Sequence, residues 1–148
     1  MKTLLLTSLL ALAALPTLAQ DAHTGPVVVI PAADIVRQVN AAATSVTITT
    51  TDKYISLFSH RTVDGTPERH ANWTDVMVVQ QGEVTLTTGG TLSGNTVDAN
   101  GESHGGTLTG GITVVVRPGD YLQIPAGVPH LMTNPKGDFH YFVTKVHV

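Results

Sequence analysis

Gly119-Asp120-Tyr121-Leu122-Gln123-Ile124-Pro125-Ala126-Gly127-Val128-Pro129-His130-Leu131-Met132-Thr133-Asn134 is the stretch whose reading decides how this chain folds. Pro118, Gly119 and Asp120 form a turn signal that launches a short strand over Tyr121–Ile124. Pro125, Ala126 and Gly127 end that strand, and Pro129 stiffens the approach to His130. A histidine held just after two corners suits metal ligation or contact with a ligand. It equally suits a barrel rim with no chemistry, so the rest of the chain has to decide.

Outward from this stretch the periodicity is two. Ile112–Arg117 reads as the strand leading into it, and Phe139–Val148 as a last strand. That last strand alternates His140, Phe142 and Thr144 against Tyr141, Val143 and Lys145. Upstream, Val46–Thr49 and Lys53–Arg61 alternate, and Val63–Thr66 is a turn signal. Pro67–His70 is expected as a short strand and Asp75–Val79 as an apolar one. Gln80-Gln81-Gly82 is expected to turn that strand into Glu83–Thr88. Gly89–Gly111 is dense in glycine and reads as a long hairpin or loop; no helix follows it, which excludes a phosphate cradle. Eight to ten such strands argue a sandwich or barrel. Before them, Val27–Ile30 is a candidate edge strand. Ala32–Ala43 carries Ile35, Val36, Val39 and Ala43 at helical spacing.

The chain of 148 residues fits one domain, and 42% apolar residues suffice for one core. Its charged share of 13% is roughly half the usual value. Residues 1–19 read as a signal peptide, with Lys2 before the apolar run Leu4–Leu15 and small residues around Thr17–Ala19. Residues 20–44 are then a linker with the short helix, and residues 45–148 the β domain. The expected location is periplasmic or extracellular, with no membrane contact after cleavage. Loss of Lys2 takes the net charge from −3 to −4, and no basic patch exists, which argues against nucleic acid. There is no cysteine, so packing and a metal are the available stabilisers. Neither a serine or cysteine nucleophile motif nor a dinucleotide fingerprint is present.

The spacing of Gly119, Pro125, Gly127, His130 and Asn134 matches the second motif of the cupin superfamily at every position. The chain resembles that family from about Glu68 to Asn134. Its first motif, closed by Gly82, is degenerate: Glu68 and His70 stand at the two histidine positions and Asp75 at the glutamate position. The resemblance implies an all-β cupin-type barrel, a double-stranded jelly roll, with one short N-terminal helix. It implies one divalent transition metal in the mouth (Fe, Mn, Ni or Zn), with Glu68, His70, Asp75 and His130 as candidate ligands. It also suggests a homodimer and a small-molecule ligand, polar or partly apolar.

Glu68 and His70 are two apart, so on a strand they share a face. Asp75 shares its face with Met77 and Val79 and, one methylene shorter than glutamate, would ligate or only orient a ligand. Asn134 is expected to fix the backbone after the histidine. Trp73 and Tyr54 are expected in the core, with a substrate platform as the alternative. His60, Arg61, His140 and Lys145 are each expected on a solvated face; an inward Arg61 or Lys145 would favour a carboxylate ligand. Glu102 and His104 are expected on a plain surface loop, with a lid as the alternative. Three functions stay open: a metal-dependent dioxygenase, isomerase or hydrolase; a ligand- or metal-binding module without turnover; and a structural exported protein.

Overall fold

A computed structural model describes residues 27–41 and 45–148. The expected signal peptide and its cleavage point lie outside the described residues, as do residues 20–26 and 42–44 of the expected linker. Helix α1 spans Ala32–Ala41 and packs on the first two strands, burying Val39 completely. Val27–Ile30, the candidate edge strand, is irregular. Among the described residues no helix is long and apolar enough to cross a membrane.

Eleven strands follow. β1 (Ser45–Thr50) and β2 (Tyr54–Arg61) form an antiparallel pair. The two-residue β3 (Glu68–Arg69) precedes the long β4 (Trp73–Thr88). The glycine-rich segment is a long hairpin, as expected. Its outer arms are β5 (Thr91–Ser93) and β8 (Thr107–Thr109). Inside it lie β6 (Thr96–Val97) and β7 (Ser103–His104), and β7 pairs with β3. β9 (Ile112–Val116) and β10 (Tyr121–Ile124) both pair with β4. β11 (His130–His147) pairs with β2, β3 and β4, so it ties the barrel together.

Two expected strands proved to be one. Gln80-Gln81-Gly82 does not turn the chain; β4 runs through it from Trp73 to Thr88. What changes there is phase. Asp75, Met77 and Val79 point inward before Gly82, and Val84 and Leu86 after it, so one residue has slipped. β11 slips opposite, with register shifts between Thr133 and Tyr141. The result is a shared corner at which both long strands bend. Their inward residues build one core: Met77, Val79, Val84 and Leu86 of β4 against Met132, Phe139, Tyr141 and Val143 of β11. Val116 and Ile124 close it from β9 and β10.

Gly82 makes that corner possible. Its φ is +73°, and a Cβ there would stand 2.7 Å from the Asp138 carbonyl oxygen and 3.0 Å from that of Lys136. We expect Gly82→Ala to cost about 2–3 kcal/mol, read as a lower urea midpoint. An unchanged midpoint would show that the corner does not depend on glycine. On the facing strand Asn134 also has a positive φ of 52°, and its N–H donates to Asp64 Oδ1 at 2.6 Å. Asn134 therefore does fix the backbone after the histidine.

Candidate metal centre

Two corners of the chain are sewn together by two main-chain N–H donors. The Gly127 N–H donates to the His70 carbonyl at 2.7 Å, and the Ala126 N–H donates to Thr74 Oγ1 at 3.2 Å. Gly127 can aim its N–H this way because its φ is +80°. His130, the first residue of β11, stands opposite Glu68 of β3. The stiff stretch Pro125–Pro129 thus delivers His130 directly beside Glu68 and His70.

Glu68, His70 and His130 each offer a ligand atom within 4.8 Å of the others. His130 Nε2 lies 3.3 Å from Glu68 Oε1, and His70 Nε2 lies 3.9 Å from Glu68 Oε2. Both rings are buried. Their outer nitrogens are both held by acceptors. His130 Nδ1 faces the Val128 carbonyl oxygen at 3.2 Å, and His70 Nδ1 binds Glu102 Oε2. Acceptors at both Nδ1 atoms assign the ring protons there and turn both Nε2 lone pairs inward. The second Glu102 oxygen accepts from the Ala71 N–H at 3.3 Å, which locks the carboxylate in place.

Asp75 comes inward from β4, at only 2% exposure, and directly opposite stands Lys145 of β11. Lys145 Nζ donates to Asp75 Oδ1 at 2.9 Å and Oδ2 at 3.2 Å, and to His70 Nε2 at 2.7 Å. Asp75 remains near the histidines, at 3.4 Å from His70 Nε2 and 3.8 Å from His130 Nε2. Its carboxylate is nevertheless held by the lysine, and it falls outside the group of three. The expected solvated face is wrong for His140, which is buried, and also for Arg61 and Lys145. Both line a cavity of about 140 Å³ together with Ser59, Met77 and Tyr141. Arg61 Nε donates to the Tyr141 hydroxyl at 3.1 Å and its Nη2 lies 3.9 Å from Glu68 Oε1.

The electrostatics follow from this crowding. Burial opposes the Glu68 charge, but His130, His70 and Lys145 pull its carboxyl down to about 2. Burial likewise opposes the Asp75 charge, and His70 and Lys145 outweigh it, so Asp75 is lowered. For His70, burial and Lys145 oppose protonation while Asp75 and Glu102 favour it, and the net direction is upward. A proton on His70 Nε2 would face the Lys145 ammonium at 2.7 Å. While Lys145 donates to Nε2, the His70 ring is neutral.

The donor set fits a divalent transition metal. It supplies two imidazole Nε2 atoms and a carboxylate, with the outer ring nitrogens pinned. His130 Nε2 is the decisive atom. It is buried and has no hydrogen-bond partner, and with its proton on Nδ1 it has nothing to donate to Glu68 Oε1 at 3.3 Å. A lone pair facing a carboxylate at 3.3 Å is an arrangement that a cation relieves.

Two participants escaped the sequence reading. Glu102 is no plain loop residue, since it orients His70 from 32 positions away. Lys145 did leave a signal: it alternates in phase with Tyr141 and Val143, both core residues. His104 is exposed, as expected, but it lies in β7 opposite Glu68 and not in a plain loop. Tyr54 is exposed and not in the core as expected, and Trp73 packs edge-on against His147, so neither forms a platform in this cavity.

The chain has the cupin fold. Among solved structures it is similar to a protein from Bacillus halodurans, with a TM-score of 0.60, 17% identity and 86% of each chain covered. It is similar to a cupin-2 domain containing protein from Shewanella frigidimarina, with a TM-score of 0.55 and 15% identity over 80% of this chain and 95% of that one. A cupin domain from Schizosaccharomyces pombe matches with a TM-score of 0.53 and 8% identity over 70% of this chain. The match spans 64% of that domain's chain. No protein-family model and no curated protein matches this chain. At these identities the likeness bears out the fold expected from Gly119–Asn134, the double-stranded jelly roll, and the site has to carry the rest.

Proposed function

We propose that this chain is an exported single-domain cupin that holds one divalent transition metal through Glu68, His70 and His130. Beside the metal it takes a small polar molecule. The observation that carries this is the pair of inward Nε2 atoms, one of them buried without a partner. A metal there supplies Lewis acidity and positions open to water, oxygen or a chelating ligand. The protein's own contributions are separate. Glu102 orients His70. Arg61 and Lys145 on the cavity wall offset Glu68 and Asp75 there, so a bound divalent metal would leave the wall net positive, which favours a carboxylate on the ligand. The cavity of about 140 Å³ suits a molecule of roughly benzene size. Export and pairing into a homodimer belong to the same proposal and rest on the leader-like residues 1–19 and on the resemblance alone.

A second reading, a binding module without turnover, draws on Lys145. Its ammonium occupies the inner nitrogen of His70 and would have to withdraw before a metal could use that nitrogen.

The test is elemental analysis of the purified full chain, stripped with chelator and reconstituted with Fe, Mn, Ni or Zn. At least one ion per chain is expected to survive dialysis. A chain that retains none after reconstitution overturns the metal reading.

A further inference from the structure

A second set of ligating side chains lies on the other face of the same sheet. Along β2, Leu57, Ser59 and Arg61 line the cavity, so Phe58 and His60 point the opposite way. Along β11, Tyr141, Val143 and Lys145 point inward, so His140 points out. His60 and His140 are direct partners across the β2–β11 pair, with ring centroids 4.6 Å apart. Asp138 lies two residues before His140, and its Oδ1 is 3.4 Å from His60 Nε2.

The structure assigns to His60, Asp138 and His140 a second metal site, for a zinc-like divalent transition ion, on the outer face of the sheet beside α1. One ligand atom from each of the three lies within 4.8 Å of the others. Zinc bonds of about 2.0–2.2 Å bring ligand atoms to within about 4 Å of one another, so side-chain rotation alone closes the set. Two imidazoles and one carboxylate select a late transition ion over calcium or magnesium, which take oxygen ligands.

A second observation points to a ligand. His140 is 7% exposed and its Nε2 is buried with no hydrogen-bond partner. It is one of two such side-chain atoms among the described residues, and the other is His130 Nε2 in the barrel centre. The site is also open to an arriving ion, because the Asp138 side chain is 59% exposed and that of His60 17%.

The position gives the ion a task. Asp138 and His140 lie where β11 shifts register against β4 at the Gly82 corner. An ion held by His60 would clip that bend to β2. A cysteine-free chain has no disulfide to do so.

The experiment is zinc titration of the full chain carrying His130→Leu, which silences the barrel centre. That protein is expected to bind one zinc ion per chain and to melt at a higher temperature with zinc than with calcium. Adding His60→Ala or Asp138→Asn should weaken zinc binding at least tenfold and remove the thermal shift. Both positions are partly exposed, and the zinc-free melting temperature checks that each variant folds. If the His130→Leu protein takes up no zinc, or if both added variants bind zinc as it does, the site does not exist. Failure of the barrel reading is separable from this. The unmodified chain would then bind zinc solely at the outer face, and His60→Ala alone would abolish uptake.

Discussion

Lys145→Met is expected to destabilise the metal-free protein by about 3–5 kcal/mol and at the same time to tighten metal binding in the barrel. The two effects share one cause. Lys145 donates to both oxygens of Asp75, a carboxylate with 2% exposure. Removing the amine leaves that charge buried, with His70 at 3.4 Å as its nearest compensation. Breaking one side of a buried pair costs far more than the pair contributes, because the survivor keeps its desolvation penalty. The same amine also occupies His70 Nε2 at 2.7 Å. A metal must displace it, so its removal should raise affinity about tenfold or more, the scale of one charged hydrogen bond.

The pH dependence has a definite sign. Asp75 is lowered in the folded protein, against burial, by His70 and Lys145. Its stabilisation is present above the unfolded carboxylate range near pH ~4 and is lost as pH falls through the lower native value. Without Lys145 that lowering shrinks. The gap between wild type and Lys145→Met should therefore be widest near neutrality and narrow in acid. Asp75→Asn combined with Lys145→Met should recover most of the loss, since neither charge then remains unpaired. Urea denaturation of chelator-treated protein measures all of this, and equilibrium dialysis measures the metal. A variant as stable as wild type at neutral pH would show that the pair is solvated and that Asp75 is free to ligate.

How much of this was legible in the chain depends on how local each cause is. Gly119–Asn134 could be read because its determinants are neighbours: two corners, a short strand and a proline before the histidine. Glu68 and His70 could be read because strand periodicity alone puts them on one face. Gly82 could not be read correctly. A glycine after two glutamines signals a turn, and the same glycine at a bulge leaves the strand continuous. Only the facing strand distinguishes them, through the carbonyls of Lys136 and Asp138 that fill the space of a Cβ.

The site divides along the same line. The candidates Glu68, His70 and His130 converge, and Asp75 lies beside them in another ion's grasp. Lys145 is 70 residues from Asp75 and meets it only through the register of β11 on β4. Register is a property of two strands, so neither strand states it alone. Glu102 sits in a segment rich in glycine, where periodicity says nothing about direction. Its aim at His70 comes from β7 pairing with β3 one residue away.

Leucine in place of His130 is expected to abolish metal binding in the barrel while leaving metal-free stability within about 1 kcal/mol of wild type. His130 is 1% exposed, and its Nε2 is buried without a partner. An unpartnered buried nitrogen costs about 1–3 kcal/mol, which leucine, of similar size, would recover. Against this stands the lost bond from Nδ1 to the Val128 carbonyl, worth about 1 kcal/mol. The two nearly cancel. A histidine kept for packing behaves otherwise, because its loss should cost the metal-free fold several kcal/mol and leave metal uptake alone. Thermal and urea unfolding with and without metal separate the cases. Wild type should gain stability on metal loading, and at concentrations too low to fill the outer face His130→Leu should gain none. A metal-free loss of about 3 kcal/mol or more, or barrel uptake that survives the substitution, would mean that the orphaned nitrogen is a cost of packing and does not await a cation. A side chain that adds little stability when the site is empty and raises it when the site is filled is behaving as a ligand.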